Sequence, residues 1–251
     1  MAISWSLRRK MLYSGATMLV ALLIVGFIWL RYFNAPPTCF DQKQNGSELG
    51  VDCGGVCALL CSQQVHDPIV LWARAFPNGT QAYTAAAYIE NNNSAGAHAV
   101  HYAFQFFDDK NNLVLERDGV TDLPPVHIVP VIEPAIYPGN RTITRALLSF
   151  STLPVWQKVP ANAYPPMRLS TQTLSADSSR LDATIQNTSL IQDATNVTVV
   201  AVLFDADNVA RAASKSVVAS IPHSSSVNVV FTWPQPVPNI TRSEVTVLPS
   251  F

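Results

Sequence analysis

Residues Ala87–Val114 read AYIENNNSAGAHAVHYAFQFFDDKNNLV, and residues Ala183–Ala210 read ATIQNTSLIQDATNVTVVAVLFDADNVA. With one inserted residue the two stretches can be laid over one another. Ile89 and Asn91 then face Ile185 and Asn187, and Phe107 and Asp108 face Phe204 and Asp205. In the first stretch Val100, Tyr102, Phe104 and Phe106 alternate with Ala99, His101, Ala103 and Gln105, a period of two that puts one set on a single sheet face. In the second, Val197, Val199, Ala201 and Leu203 hold the aligned inward positions. Each apolar run ends at an aspartate and an Asp/Asn-rich stretch, FFDDKNN or LFDADN, whose short side chains hydrogen-bond local backbone and tolerate turn geometry. The pattern predicts a strand, a tight turn and a returning strand, twice.

Further strands follow from the same reading. IYPGNRTITRALLSF and SIPHSSSVNVVFTWP are each a proline turn followed by an alternating apolar strand. Val227, Val229, Phe231 and Trp233 alternate with smaller or polar partners, and SEVTVLPS reads as a closing strand ended by Pro249. Between the copies, LPVWQKVPANAYPPM (Leu153–Met167) carries four prolines, which remove backbone donors and favour extended chain, so the domain junction is placed there. Short strands with frequent turns over some 85–90 residues per copy describe an antiparallel sandwich, in which two one-sided sheets hide their apolar faces together. The expected fold is all-β: two tandem antiparallel immunoglobulin-like β-sandwiches, at 65–152 and 168–251, joined by a Pro-rich linker at 153–167. The first copy inserts DGVTDLPPVHIVPVIEP (Asp118–Pro134), which is expected to be a long loop.

FQFFD at Phe104–Asp108 resembles the F-x-L-Y-D signature of small immunoglobulin-like domains in bacterial and archaeal surface proteins, and AVLFD at Ala201–Asp205 is similar over its last three positions. The resemblance covers most of residues 68–251. It implies a sandwich architecture related to that of late-embryogenesis-abundant water-stress proteins and implies nothing about activity.

The N-terminus is read from charge. MLYSGATMLVALLIVGFIWL (Met11–Leu30) contains no charged residue and matches the ~20 residues a helix needs to cross the hydrocarbon core. Arg8, Arg9 and Lys10 precede it and only Arg31 follows closely, so the positive-inside bias keeps residues 1–10 in the cytoplasm and sends the rest outside. Trp29 and Tyr32 are placed at the outer interface. A cleaved signal peptide competes, but the apolar run exceeds the usual 7–15 residues and lacks a clear small-x-small site at its end. A single-pass protein of the cytoplasmic membrane is expected, with the lipid bilayer as partner of residues 11–30.

Residues 31–64 hold a spacer and every cysteine: Cys39, Cys53, Cys57 and Cys61. Outside the cytoplasm such a loop-rich segment relies on disulfides, here two, with three pairings open. Zinc is disfavoured because no C-x2-C spacing and no histidine lie inside the cluster, and thioredoxin-like chemistry lacks its C-x-x-C. Asp41, Asn45, Gly46 and Asp52 fall at positions 1, 5, 6 and 12 of an EF-hand-like loop, making Asp41, Asn45 and Asp52 candidate calcium ligands. Lys43 occupies a ligand position, however, and turn stabilisation is the simpler role. The stretch also resembles the C-x-D-G-x-x-N-G-x-E-x-x-V-D-C-G-G-x-C module of secreted and surface proteins, with Gln42 departing from its spacing.

With 251 residues, a net charge of −1 and 13% charged residues, the chain lacks the basic surplus of a nucleic-acid binder. No G-x-S-x-G elbow or P-loop is present. His98 and His101 are expected on opposite strand faces, and His66, His127 and His223 are scattered. Seven N-x-S/T sequons occur, at Asn45, Asn78, Asn92, Asn140, Asn187, Asn196 and Asn239. No catalytic residue is assigned. The expected role is a non-catalytic extracytoplasmic protein that contacts a protein partner, with Asp118–Pro134, Trp156 and Tyr164 as contact regions. The competing roles are an accessory subunit of a secretion or pilus assembly and a calcium-dependent or carbohydrate-binding surface module.

Overall fold

The structure, a computed structural model, describes residues 5–33, 36–160 and 162–248. It divides into two compact units at Cys57/Ala58. In the first, helix α1 (Trp5–Phe33) extends beyond the charge-free Met11–Leu30 core at both ends. Its 29 residues rise about 43 Å at 1.5 Å each, more than the ~30 Å hydrocarbon core. No part of its apolar span is covered by protein, so water is a poor solvent for it and a bilayer a good one.

The second unit is built of antiparallel strands: β1 (Ile69–Pro77), β2 (Tyr83–Asn91), β3 (Gly96–Phe107), β4 (Leu113–Leu123), β5 (His127–Ile136), β6 (Arg145–Phe150), β7 (Trp156–Gln157), β8 (Met167–Leu174), β9 (Arg180–Asn187), β10 (Ala194–Asp205), β11 (Ala210–Ile221), β12 (Ser226–Thr232) and β13 (Ile240–Leu248). They form four sheets, ordered β1-β2-β5, β4-β3-β6, β12-β9-β8 and β11-β10-β13, with β7 added beside β3. Strands β8–β13 repeat the order of β1–β6: first, second and fifth in one sheet, fourth, third and sixth in the other. Pro249 lies outside the described residues.

The repeat extends to individual hydrogen bonds. Asn91 and Asn187 are both fully buried. Asn91 Nδ2 donates to the carbonyls of Ala95 (2.9 Å) and Pro124 (2.7 Å), and Asn187 Nδ2 donates to those of Gln192 (2.9 Å) and Ile221 (3.0 Å). Each thereby ties its own turn to the end of a distant strand. Asp108 Oδ1 accepts the backbone N–H groups of Lys110 and Asn112, and Asp205 Oδ1 those of Asp207 and Val209. Asn111 (φ 61°) and Asn208 (φ 57°) take the left-handed position of these turns, which asparagine tolerates better than most residues.

Apolar packing explains how the sheets stack. Ile89, Phe104, Phe106, Val129 and Leu148 share one core between the first two sheets, and Leu181, Ile185, Val197, Val199 and Phe231 share another between the last two. A third core lies between the halves, where Phe76, Ala86, Tyr88 and Ile132 meet Val200, Val202, Phe204 and Ala213. Unit two is thus four layers of sheet with three apolar seams. The central strands of the two inner sheets, β2 and β10, are buried on both faces, the burial that continuous rather than alternating apolar runs produce. TAAAYI in β2 and VVAVLF in β10 are such runs. Asp182, Thr184 and Gln186 face outward on β9, and Gln105 and His101 on β3, so the outermost faces are polar and the stack ends there.

Two expectations are corrected. Asp118–Pro134 is not a long loop: it forms the end of β4 and most of β5, with Leu123, Val129, Val131 and Ile132 buried. Its prolines disguise a strand because β5 is a sheet edge, paired only with β2, where a residue without an N–H is tolerated. Pro134 and Ala135 (φ 55°) fall within the register shift opposite Tyr83/Ala85. His98 and His101 are both exposed rather than split between faces, because a bulge at Ala97/Val100, with Ala99 at φ 51°, breaks the period of two.

Candidate interaction surfaces

The cysteine module is oxidised throughout. Cys39 is bonded to Cys57, Cys53 and Cys61 are likewise disulfide-bonded, and no free cysteine exists. Cys39, Cys57 and Glu48 bring potential ligand atoms within 4.8 Å of one another, but a cystine offers no thiolate to a metal. The three candidate calcium ligands do converge. Asp52 accepts the backbone N–H groups of Asp41 (3.0 Å) and Gln42 (2.9 Å), and Asp41 accepts the N–H of Lys43 and Nδ2 of Asn45 (2.8 Å). The Asn45 amide and the backbone donors hold the Asp41 carboxyl below the usual carboxylate range. These carboxylates therefore already serve as turn acceptors, and Asn45 Oδ1 is left without a hydrogen-bond partner in the protein.

At the seam between the halves, Tyr88 OH donates to Glu244 Oε1 (3.0 Å), and Arg242 bonds Glu244 while its guanidinium lies 4.0 Å from the Phe204 ring centroid. Burial and the adjacent carboxylate push the Tyr88 phenol well up. Tyr102 is placed similarly within the first half: its hydroxyl donates to Glu133 (2.6 Å), and burial followed by that bond raises it. Gly119 makes this possible, because a Cβ there would come within 2.3 Å of the Tyr102 ring. Asp108 is held at about 2, first by the Asn112 N–H and then by Arg141. Asp205 is lowered first by the Val209 N–H, with Arg211 contributing.

Of the expected contact aromatics, Trp156 packs into the first half's core and is buried, whereas Tyr164 is half-buried and lines an open groove. This groove measures about 690 Å³ and is walled by Pro124, Pro160, Tyr164, Met167, Ile191 and Leu248. Leu190 (80% exposed) adjoins Ile191 (91% exposed) on the β9–β10 turn. Among the described lining residues, His127 is the one with a basic side chain and none is a carboxylate. Sequence patterning missed this surface because its walls come from four separated segments. The scattered histidines assemble no site, although His98 meets Asp122 (2.7 Å) and His223 meets Asp193 (2.8 Å). Among the sequons, Asn92, Asn140, Asn196 and Asn239 are exposed, whereas the Asn187 amide is buried and already committed.

No protein-family model and no curated protein matches the chain. Among solved structures, a transglutaminase from red sea bream is similar at 11% identity and a TM-score of 0.25, over 75% of this chain and 32% of that one. The chain thus spans about a third of that enzyme's length, and a likeness at this level carries no argument about fold or activity.

Proposed function

We propose that the chain is a single-pass membrane protein whose extracytoplasmic tandem immunoglobulin-like sandwiches, held on a cystine-stapled neck, contact a protein partner without catalysis. The observation that carries this reading is the conjunction of the bare apolar helix with the fully oxidised cysteine module. Arg8–Lys10 before the helix favour a cytoplasmic N-terminus with the rest of the chain outside, and cystines in a short loop-rich segment suit an oxidising compartment. Two independent physical signals thus point to one topology.

The groove beside Tyr164 supports a protein as the partner. It is mainly apolar, with Asn162, Ser189, Gln192 and His127 among its walls, and is bordered by the exposed Leu190–Ile191 pair, which suits an uncharged, largely apolar segment of another protein. Anchoring confines both partners to two dimensions and raises their effective concentration. Site-specific photo-crosslinking from Leu190 in the intact membrane protein tests this. One defined protein adduct, lost when Ile191 is changed to Asp, is expected. Adducts to lipid alone, or none, would remove the protein-partner reading, and recovery of a multi-subunit envelope complex would identify the chain as an accessory subunit.

A further inference from the structure

Strand β1 is a sheet edge: among the described strands it pairs with β2 alone. The hairpin it closes fixes which of its groups face the open side. Asn78 N–H donates to Ala82 O (2.7 Å), so 78 and 82 are a hydrogen-bonded pair, and in an antiparallel ladder such pairs alternate. With Phe76 opposite Thr84 and Arg74 opposite Ala86, those two residues spend their backbone groups on β2, and Ala73, Ala75 and Pro77 turn theirs to the open edge. Pro77 fits this parity, since a residue without an N–H is tolerated where no ladder bond needs one. A hollow of about 420 Å³ runs along this edge. Five consecutive residues of β1, 73 to 77, line it, whereas a hollow on one sheet face would meet alternate residues. Its other walls are residues 144–146, where β6 begins, and 210–211, where β11 begins. Those strands are edges too, each of a neighbouring layer.

Each of these three layers brings one arginine to the hollow: Arg145, Arg74 and Arg211. No carboxylate is among the described lining residues. The arginine ion pairs among the described residues involve positions 117, 141, 180, 211 and 242, and neither 74 nor 145. Arg145 lies over the Phe107 ring, 4.8 Å from its centroid. Arg211 is the extra residue of a bulge, where Leu203 faces Ala212 and Phe204 faces Ala210, and Asp205 holds it at 2.6 Å. Three guanidiniums thus stand against one carboxylate, a local positive excess in a chain whose net charge is −1. We infer that this edge is a docking site for a short, extended, acidic segment of a protein, added to β1 as a further strand. The segment's backbone bonds Ala73 and Ala75, and its carboxylates meet the arginines. A single small anion would use the guanidiniums and leave the ladder open, whereas an acidic strand uses both. Pro77 ends the ladder, so the pairing runs from residue 73 to 77, about 13 Å at ~3.3 Å per residue. The hollow shares no lining residue with the groove beside Tyr164 and takes a charged segment where that groove takes an uncharged one, so either site can fail alone.

The test uses the full chain in an uncharged detergent at low ionic strength, with three labelled peptides. One is Glu-Val-Glu-Val-Glu, the second replaces each glutamate with lysine, and the third is the glutamate peptide with all its backbone amides N-methylated, which keeps the charge and removes the donors. Binding is read by fluorescence anisotropy and its place by hydrogen exchange. The acidic peptide should bind and slow exchange in β1, and N-methylation should weaken it about tenfold or more. Arg74→Gln, a change at an exposed position, should weaken it about fivefold while the variant melts as the native chain does. No binding of the acidic peptide, equal binding of the lysine or N-methylated peptide, no effect of Arg74→Gln, or unchanged exchange in β1 would each overturn the assignment. Complete displacement by millimolar inorganic phosphate would overturn it too, by marking a site for a small anion.

Discussion

Phe204→Ala tests the seam between the halves. Phe204 is 4% exposed and belongs to the seam's core rather than to the core of its own half. Its ring meets Tyr88 edge-on at 6.4 Å and carries the Arg242 guanidinium at 4.0 Å. Truncating a buried phenylalanine costs about 3–5 kcal/mol in lost burial plus cavity, and the cation–π contact accounts for about 1–2 kcal/mol of that. For a unit of this size the melting midpoint should fall by roughly 6–20 °C. The location of the loss identifies the seam: hydrogen exchange should accelerate in β2 and β5, although the substitution is in β10, because Ala86, Tyr88 and Ile132 lose the surface they rest on. Phe231→Ala, in the second half's own core, should cost as much while leaving β2 protected. A Phe204→Ala protein that melts within 2 °C of the native chain with β2 protection unchanged would refute the four-layer stack.

Asn91→Ala and Asn187→Ala should destabilise alike, by about 2–4 kcal/mol each, since each takes the amide donor from one buried and one part-buried carbonyl; thermal unfolding checks this, and a cost at only one site would break the structural equivalence of the copies. Stability should fall as pH drops from about 4 towards 2: Asp108 and Asp205 have folded-state values below their unfolded ones, so the stability they add is present above the unfolded value and lost as each protonates in the fold. Midpoints measured from pH 6 to pH 2 should show this decline, and Asp108→Asn together with Asp205→Asn should flatten it. The raised Tyr88 and Tyr102 phenols act oppositely, favouring the fold up to about pH 10 and adding progressively less above it as the unfolded phenols ionise. Gly119→Ala should cost about 1–3 kcal/mol by driving Tyr102 from Glu133, and a near-ultraviolet circular dichroism spectrum identical to the native one would exclude that displacement.

Much was legible in the order of residues alone. A charge-free run flanked by basic residues dictates a membrane-length helix because the bilayer penalises charge wherever it is buried. Period-two alternation and Asp/Asn turns dictate strands and hairpins because both are local: Asp108 and Asp205 bond backbone only two and four residues away. The matched Asn91 and Asn187 were visible as a pattern, although their long-range partners were not. What the tertiary structure alone decided is nonlocal. Strand β5 was hidden because the reading took Pro130 and Pro134 as loop residues, and only sheet position makes an edge that accepts them. The seam between the halves was hidden because a continuous apolar run such as TAAAYI says that both faces are covered without saying by what. The groove at Tyr164 is assembled from segments far apart in sequence, and periodicity carries information about one element at a time, never about which elements meet.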